Sequence, residues 1–123
     1  MTTPNGPATG QVMTVFRSRL RADGADVYAE HAARMSALAR TMPGYVEHKV
    51  FTADDGERVT LVRFADRESH DAWARHPDHR EAQRAGIAGY YEEYSIAVGD
   101  IDRSHSWERG AVDDAVDSPG DPA

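Results

Sequence analysis

The chain has 123 residues, 40% of them hydrophobic and 28% charged, which suits a single globular domain with one core and little surplus stability. Its net charge of −7 argues against a nucleic-acid backbone or an anionic membrane as partner, since both reward clustered Lys and Arg. The absence of cysteine excludes disulfides, thiolate catalysis and Cys-ligated metals.

Residues 1–10 are polar and without periodicity, and they lack the basic start and apolar run of a signal peptide. No apolar stretch is long enough to span a bilayer, so a cytoplasmic location is the expectation. Gln11 to Leu20 reads as a strand, with Val12, Phe16 and Leu20 on one face and Met13 and Val15 on the other. Apolar residues on both faces predict cover on both sides. Asp23-Gly24 turns the chain and Asp26 is a candidate N-cap. Val27, His31, Met35, Leu38 and Met42 then recur at helical spacing until Pro43-Gly44 ends the helix.

Tyr45–Thr52 and Glu57–Phe64 read as two strands joined at Asp55-Gly56, a pair that predicts a type I′ turn with positive φ at both residues. Asp66 is placed to cap a short helix reaching about Arg75, and His76-Pro77 breaks it. Pro77 suits the first position of a further helical turn through Gln83 to about Ile87. Tyr90 to Val98 reads as the last strand, with Tyr90, Tyr94, Ile96 and Val98 on one face and Tyr91 and Ala97 on the other. Residues 104–123 form an acidic tail in which Glu108, Asp113, Asp114, Asp117 and Asp121 outweigh Arg109. Such a segment buries too little apolar surface to offset its ordering entropy. Trp107 is the one residue in it that would either pin the tail to the domain or stand in solvent.

The expected organisation is thus an unstructured segment 1–10, a domain over 11–103 and a tail over 104–123. The fold class is α+β, in the ferredoxin-like order β-α-β-β-α-β with a four-stranded antiparallel sheet. Helices cover one face of such a sheet, and this chain has no third layer for the other. A second copy packed face to face by two-fold symmetry supplies it, so a homodimer is expected.

The segment Ala72-Trp73-Ala74-Arg75-His76-Pro77-Asp78-His79-Arg80-Glu81-Ala82-Gln83, the helix end at Met42-Pro43-Gly44 and the strand exit Arg63-Phe64-Ala65-Asp66 resemble the antibiotic biosynthesis monooxygenase (ABM) family. The resemblance covers roughly residues 11–100 and implies a dimeric α+β barrel with a ligand pocket between helices and sheet. It also implies several activities: cofactor-free oxygenation of aromatic polyketides, haem degradation, or processing of small signalling molecules. Fold alone does not choose among these.

Cofactor-free oxygenation needs a substrate that becomes a carbanion or phenolate and passes an electron to dioxygen. The protein supplies a base, a hydrogen-bond donor and a dry aromatic pocket. His31 and His70 are the candidate bases, and Phe16, Met35, Phe64 and Trp73 the candidate walls. Each has a structural alternative: His31 as a core-edge histidine bonded to backbone, His70 as a solvated helix residue, Trp73 as a ring packing helix on sheet. The haem-degrading members that the family includes carry an iron-binding histidine where Gln83 stands, and an asparagine on the first strand where Val15 and Phe16 stand. Glutamine is no substitute for imidazole as an iron ligand, so Gln83 is assigned to substrate contact and haem is disfavoured. His70, His76 and His79 do not form a continuous helical pair, because Pro77 intervenes, and no metal site is assigned. The expected function is a cofactor-independent monooxygenase acting with dioxygen on a small hydrophobic, aromatic molecule. The alternative is a non-catalytic dimeric domain that binds a small molecule or supports another enzyme. A pocket histidine bonded to Asp, Glu or Tyr separates the two in favour of the enzyme.

Overall fold

Alternating apolar residues, interrupted by glycine turns and helical stripes, build seven elements in a computed structural model that describes residues 8–23 and 25–110. They are β1 (Val12–Leu20), α1 (Ala25–Thr41), β2 (Tyr45–Thr52), β3 (Arg58–Phe64), α2 (Arg67–Arg75), α3 (Pro77–Gly89) and β4 (Tyr91–Asp100). The strands form one antiparallel sheet in the order β2-β3-β1-β4, the ferredoxin-like α+β arrangement that the element order predicts. Among the described residues no helix is long and apolar enough to cross a membrane. The expectations for residues 1–7, for the end of the tail at 111–123 and for the side chains of Asp26 and Val27 fall outside what is described.

Cross-strand register assigns the two faces. Val12 stands opposite Phe64, Thr14 opposite Val62 and Phe16 opposite Thr60, so these share a face. It is the helix face, because Phe64 is fully buried against Ala39 of α1 and Trp73 of α2. Leu38, Met42, Tyr45 and Val62 pack around that cluster. On the opposite face Val15 stands between Leu61 and Ala97, with Met13 and Val59 nearby, all but Ala97 half-buried. Arg63 lies buried on that side, donating to Glu47 and Gln11.

Three local expectations are corrected. The β2–β3 turn is not type I′, since among the described residues only glycines have positive φ, and within this turn only Gly56 (φ 92°) takes that region. Gly56 N–H donates to Ala53 O (2.9 Å) and Ala53 N–H to Glu57 O (2.8 Å), which makes a three-residue loop closed by a glycine bulge. Asp55 instead serves through its carboxylate, which accepts from Glu57 N–H (3.0 Å). Second, Tyr91 does not lie opposite to Tyr94. The β1–β4 register shifts between Arg19 and Leu20, so that Leu20 pairs with Tyr91 and Glu92 is skipped. The extra residue turns Tyr91 toward Phe16, whose ring is 5.5 Å away, and Tyr94 lies 5.7 Å from the same ring. Third, β4 is not covered on both faces. Tyr94, Ile96 and Val98 are all more than two-fifths exposed on its helix side.

Two helix signals hold, and a third is displaced: α1 already begins at Ala25, so Asp26 lies within it and not at its cap. Asp66 caps α2 by accepting from Ser69 N–H (2.8 Å), and Pro77 begins α3 directly after α2 ends at Arg75.

Candidate functional site

The bulge in β4 and the first turns of α1 bring together a group of aromatic rings that no local stretch of sequence contains. Tyr28 of α1 meets the edges of both Tyr90 and Tyr91, each at 5.9 Å between centres. Tyr91 in turn meets Phe16 of β1 and Tyr94. One helical turn beyond Tyr28, His31 lies half-buried with its ring perpendicular to Tyr90. Its Nδ1 is 2.7 Å from the Tyr90 hydroxyl oxygen, a side-chain hydrogen bond across 59 residues of sequence. When Nδ1–H donates to that oxygen, Nε2 carries the free lone pair and is the proton-accepting atom. Arg58, at the start of β3, places its guanidinium carbon 5.4 Å from the centre of the Tyr28 ring. Burial pushes the Tyr91 phenol well above its ordinary value, so it stays a neutral donor at physiological pH.

Three of the remaining candidates, Phe64, Trp73 and His70, gather at the other end of the sheet. Phe64 sits opposite Val12, four residues along β1 from Phe16, a distance of about 13 Å at ~3.3 Å per strand residue. Trp73 stacks on Phe64 (6.3 Å, 30°) and is 9% exposed, inside the core cluster. His70 is also buried, edge-on to Phe64, with Nδ1 2.9 Å from Asp71 Oδ1. That contact holds the Asp71 carboxyl below its usual range. Met35 is half-buried on α1, one turn beyond His31, and Gln83 stands exposed on α3. The residues grouped by sequence therefore separate in space: His31 and Phe16 belong to the tyrosine cluster, His70, Phe64 and Trp73 to the core.

Two further histidines are held in defined environments: His79, which the sequence reading weighed only as a metal ligand, and His48, which it passed over. His79 packs its ring 4.2 Å from that of Trp73, with Nδ1 enclosed and unpartnered among the described residues. Burial, first, and the nearby His70 and His76 hold its pKa below the ordinary imidazole value. His48 of β2 sits between Ser36 Oγ (2.8 Å from Nε2) and Tyr45 Oη (3.0 Å from Nδ1), and burial also lowers its pKa. No group of three His, Asp or Glu residues suited to a metal ion occurs among the described residues. The signal available for His48 was its alternation with Val50 on one strand, whereas Tyr45, three residues before it, joins that face only through the register shift between Tyr45 and Glu47; for His79, it was the spacing of six from Trp73 across the proline break.

The strand order and one-sided helices are those of the ferredoxin-like α+β class. The family described as antibiotic biosynthesis monooxygenase matches residues 11–85, and the chain belongs to that family. An uncharacterized protein of Bacillus subtilis (strain 168), YqjZ, is 26% identical over 99 residues, covering 80% of this chain and 87% of its own. Among solved structures, SnoaB from Streptomyces nogalater, described as a cofactor-independent oxygenase, matches with a TM-score of 0.65 at 17% identity, over 79% of this chain and 97% of its own. Rv0793 from Mycobacterium tuberculosis matches with a TM-score of 0.69 at 18% identity, over 78% of this chain and 99% of its own. At these identities the structural likeness speaks for the fold.

Proposed function

We propose that the chain is a cofactor-independent monooxygenase that acts with dioxygen on a small, hydrophobic, aromatic molecule. The observation that carries this reading is the His31–Tyr90 pair, a base with its orienting partner, set at the edge of a cluster of aromatic rings. In this reading the aromatic substrate stacks among Phe16, Tyr28 and Tyr94, and His31 Nε2 removes an acidic proton from it. The resulting electron-rich anion reduces dioxygen directly. For a ring methylene the balance is CH2 plus O2 giving C=O plus H2O: two C–H bonds break, one oxygen enters the product and the other leaves as water. The substrate supplies every electron, so no external reductant is needed.

Family membership and the fold of a cofactor-independent oxygenase support the reaction class. The half-buried apolar strip of Val15, Leu61, Met13 and Val59 on the face away from the helices supports a homodimer, with that strip as the interface. The test is oxygen uptake by dialysed, chelator-treated protein with anthrone- and naphthol-type substrates. Uptake by wild type that falls at least tenfold in Tyr90→Phe supports the pair as the working unit. Uptake by no electron-rich ring in the panel, with those rings binding saturably, would favour the non-catalytic binding domain instead.

A further inference from the structure

Of the arginines in the described sheet and helices, most either meet a carboxylate or stand in water. Arg17, Arg19, Arg63 and Arg67 each reach an acidic partner within 3.2 Å. Arg34, Arg40, Arg75 and Arg80 make no ion pair among the described residues but are exposed, where solvent satisfies them. Arg58 does neither. It is half-buried, its Nε is enclosed with no hydrogen-bond partner, and among the described residues no carboxylate pairs with it. In a chain of net charge −7 acids are plentiful, yet none among the described residues is paired with Arg58. A guanidinium partly withdrawn from water without a counter-ion is costly unless an anion completes it.

Its surroundings are those of the proposed site. Arg58 stands opposite Ser18 of β1, which is 2% exposed, and so projects from the helix face of the sheet. Its guanidinium lies against Tyr28. Tyr28 touches Tyr90, and the Tyr90 hydroxyl touches His31. The cation and the base thus flank one continuous set of rings. Tyr91, the neighbouring phenol, is held in its neutral form by burial and is no resident counter-ion.

We propose that Arg58 is the anion-binding residue of this site, and that its ligand class is an aromatic hydroxy compound whose hydroxyl is ionised, or readily ionised, at neutral pH. The inference rests on the reading of the tyrosine cluster as the ligand site, and it deepens that reading by naming the ligand's charge. His31 removes the proton and Arg58 holds the oxygen left negative, through planar donors suited to a phenolate or enolate. A neutral aromatic hydrocarbon of the same shape leaves Arg58 unsatisfied and binds more weakly.

The experiment uses alizarin, a dihydroxyanthraquinone that changes colour on ionisation, and its non-ionisable dimethyl ether. Titrated with wild-type protein, bound alizarin should ionise at least one pH unit lower than free alizarin, a tenfold preference for the anion. Arg58→Gln should abolish that shift and weaken binding of the anion about tenfold while leaving the ether's affinity unchanged; Arg58→Lys should restore part of the shift. An unshifted ionisation of alizarin bound to wild type overturns the proposal, and needs no variant to fold. So does a full shift retained in Arg58→Gln. In either case saturable binding of both dyes leaves the aromatic site standing, whereas binding of neither dye to wild type removes the site and the proposal together.

Discussion

His31 owes its position to two constraints at once: the pitch of α1, which sets it one turn past Tyr28, and the Tyr90 hydroxyl, which fixes its ring plane. Loss of the imidazole should therefore lower turnover by about 100-fold or more, the usual range for a positioned base, with little change in Tm. Tyr90→Phe keeps the ring contacts and removes only the orienting hydroxyl, so a smaller loss of about tenfold is expected. Steady-state oxygen uptake beside thermal melts of both variants checks this. His79 makes a different prediction. Its folded-state pKa lies below the ordinary 6.5 because burial beside Trp73 disfavours the charged ring. Below that ordinary value the unfolded chain takes up a proton that the folded chain refuses. Stability contributed by neutral His79 is thus present above about pH 6.5 and lost as the pH falls through the folded-state value. His48, lowered for the same reason, adds to the slope. Urea unfolding at pH 7.5 and 5.5 should show a fall in stability that is smaller in His79→Phe, a ring that keeps the packing and cannot charge. Equal slopes in the two proteins would assign the pH dependence elsewhere.

Turns place the elements that carry these side chains, and they differ in what they tolerate. Gly44, between α1 and β2, has φ 80° and accepts Ala65 N–H (2.7 Å) on its carbonyl. A Cβ there would stand 2.1 Å from Ser69 Oγ and 2.4 Å from Ser69 Cβ, in the first turn of α2. Gly44→Ala should cost roughly 2–4 kcal/mol, combining left-handed backbone strain with overpacking. Gly56→Ala, at φ 92° in open space, should cost only about 1–2 kcal/mol from the backbone alone. Denaturant titration that ranked the two equally would contradict this account of the α1–β2 junction. The element order, the β2 and α2 boundaries, the Asp66 cap and the proline break were legible because each rests on a short-range rule. The Tyr90–Tyr91–Tyr94 geometry was not, since a single skipped residue at Glu92 reverses the faces and leaves no mark in the alternation. The same limit separated Phe16 from Phe64: both lie on the helix face, but only the β1–β3 register shows that four residues of strand lie between them. His31 was legible from the α1 stripe, whereas its partner Tyr90, 59 residues on, needed the fold.

At the scale of the whole molecule, packing and the proposed chemistry occupy opposite ends of one sheet. The core end is closed: Phe64 is fully buried and Trp73 and Ala39 nearly so. Trp73→Ala should cost about 3–5 kcal/mol there, the range for deleting a large core ring, and a Tm nearly unchanged would remove Trp73 from the core. The tyrosine end is open toward Ile96 and Val98, exposed apolar residues on the helix side of β4. A chain this size gains from covering the apolar strip around Val15 and Leu61, and we expect a dimer by sedimentation that Val15→Asp converts to monomer. A wild-type monomer at micromolar concentration would oppose that expectation. On the proposed reading, the protein oxygenates a small aromatic molecule with its own His31 as base and no bound cofactor. The most direct test of that reading is turnover of an anthrone-type substrate under 18O2 by chelator-treated wild type and His31→Ala, with products weighed by mass spectrometry. The account predicts one labelled oxygen per product molecule and a rate at least 100-fold lower in the variant, near the range typical of a lost general base. Equal rates in the two proteins, or activity that disappears on chelation and returns with metal, would contradict it.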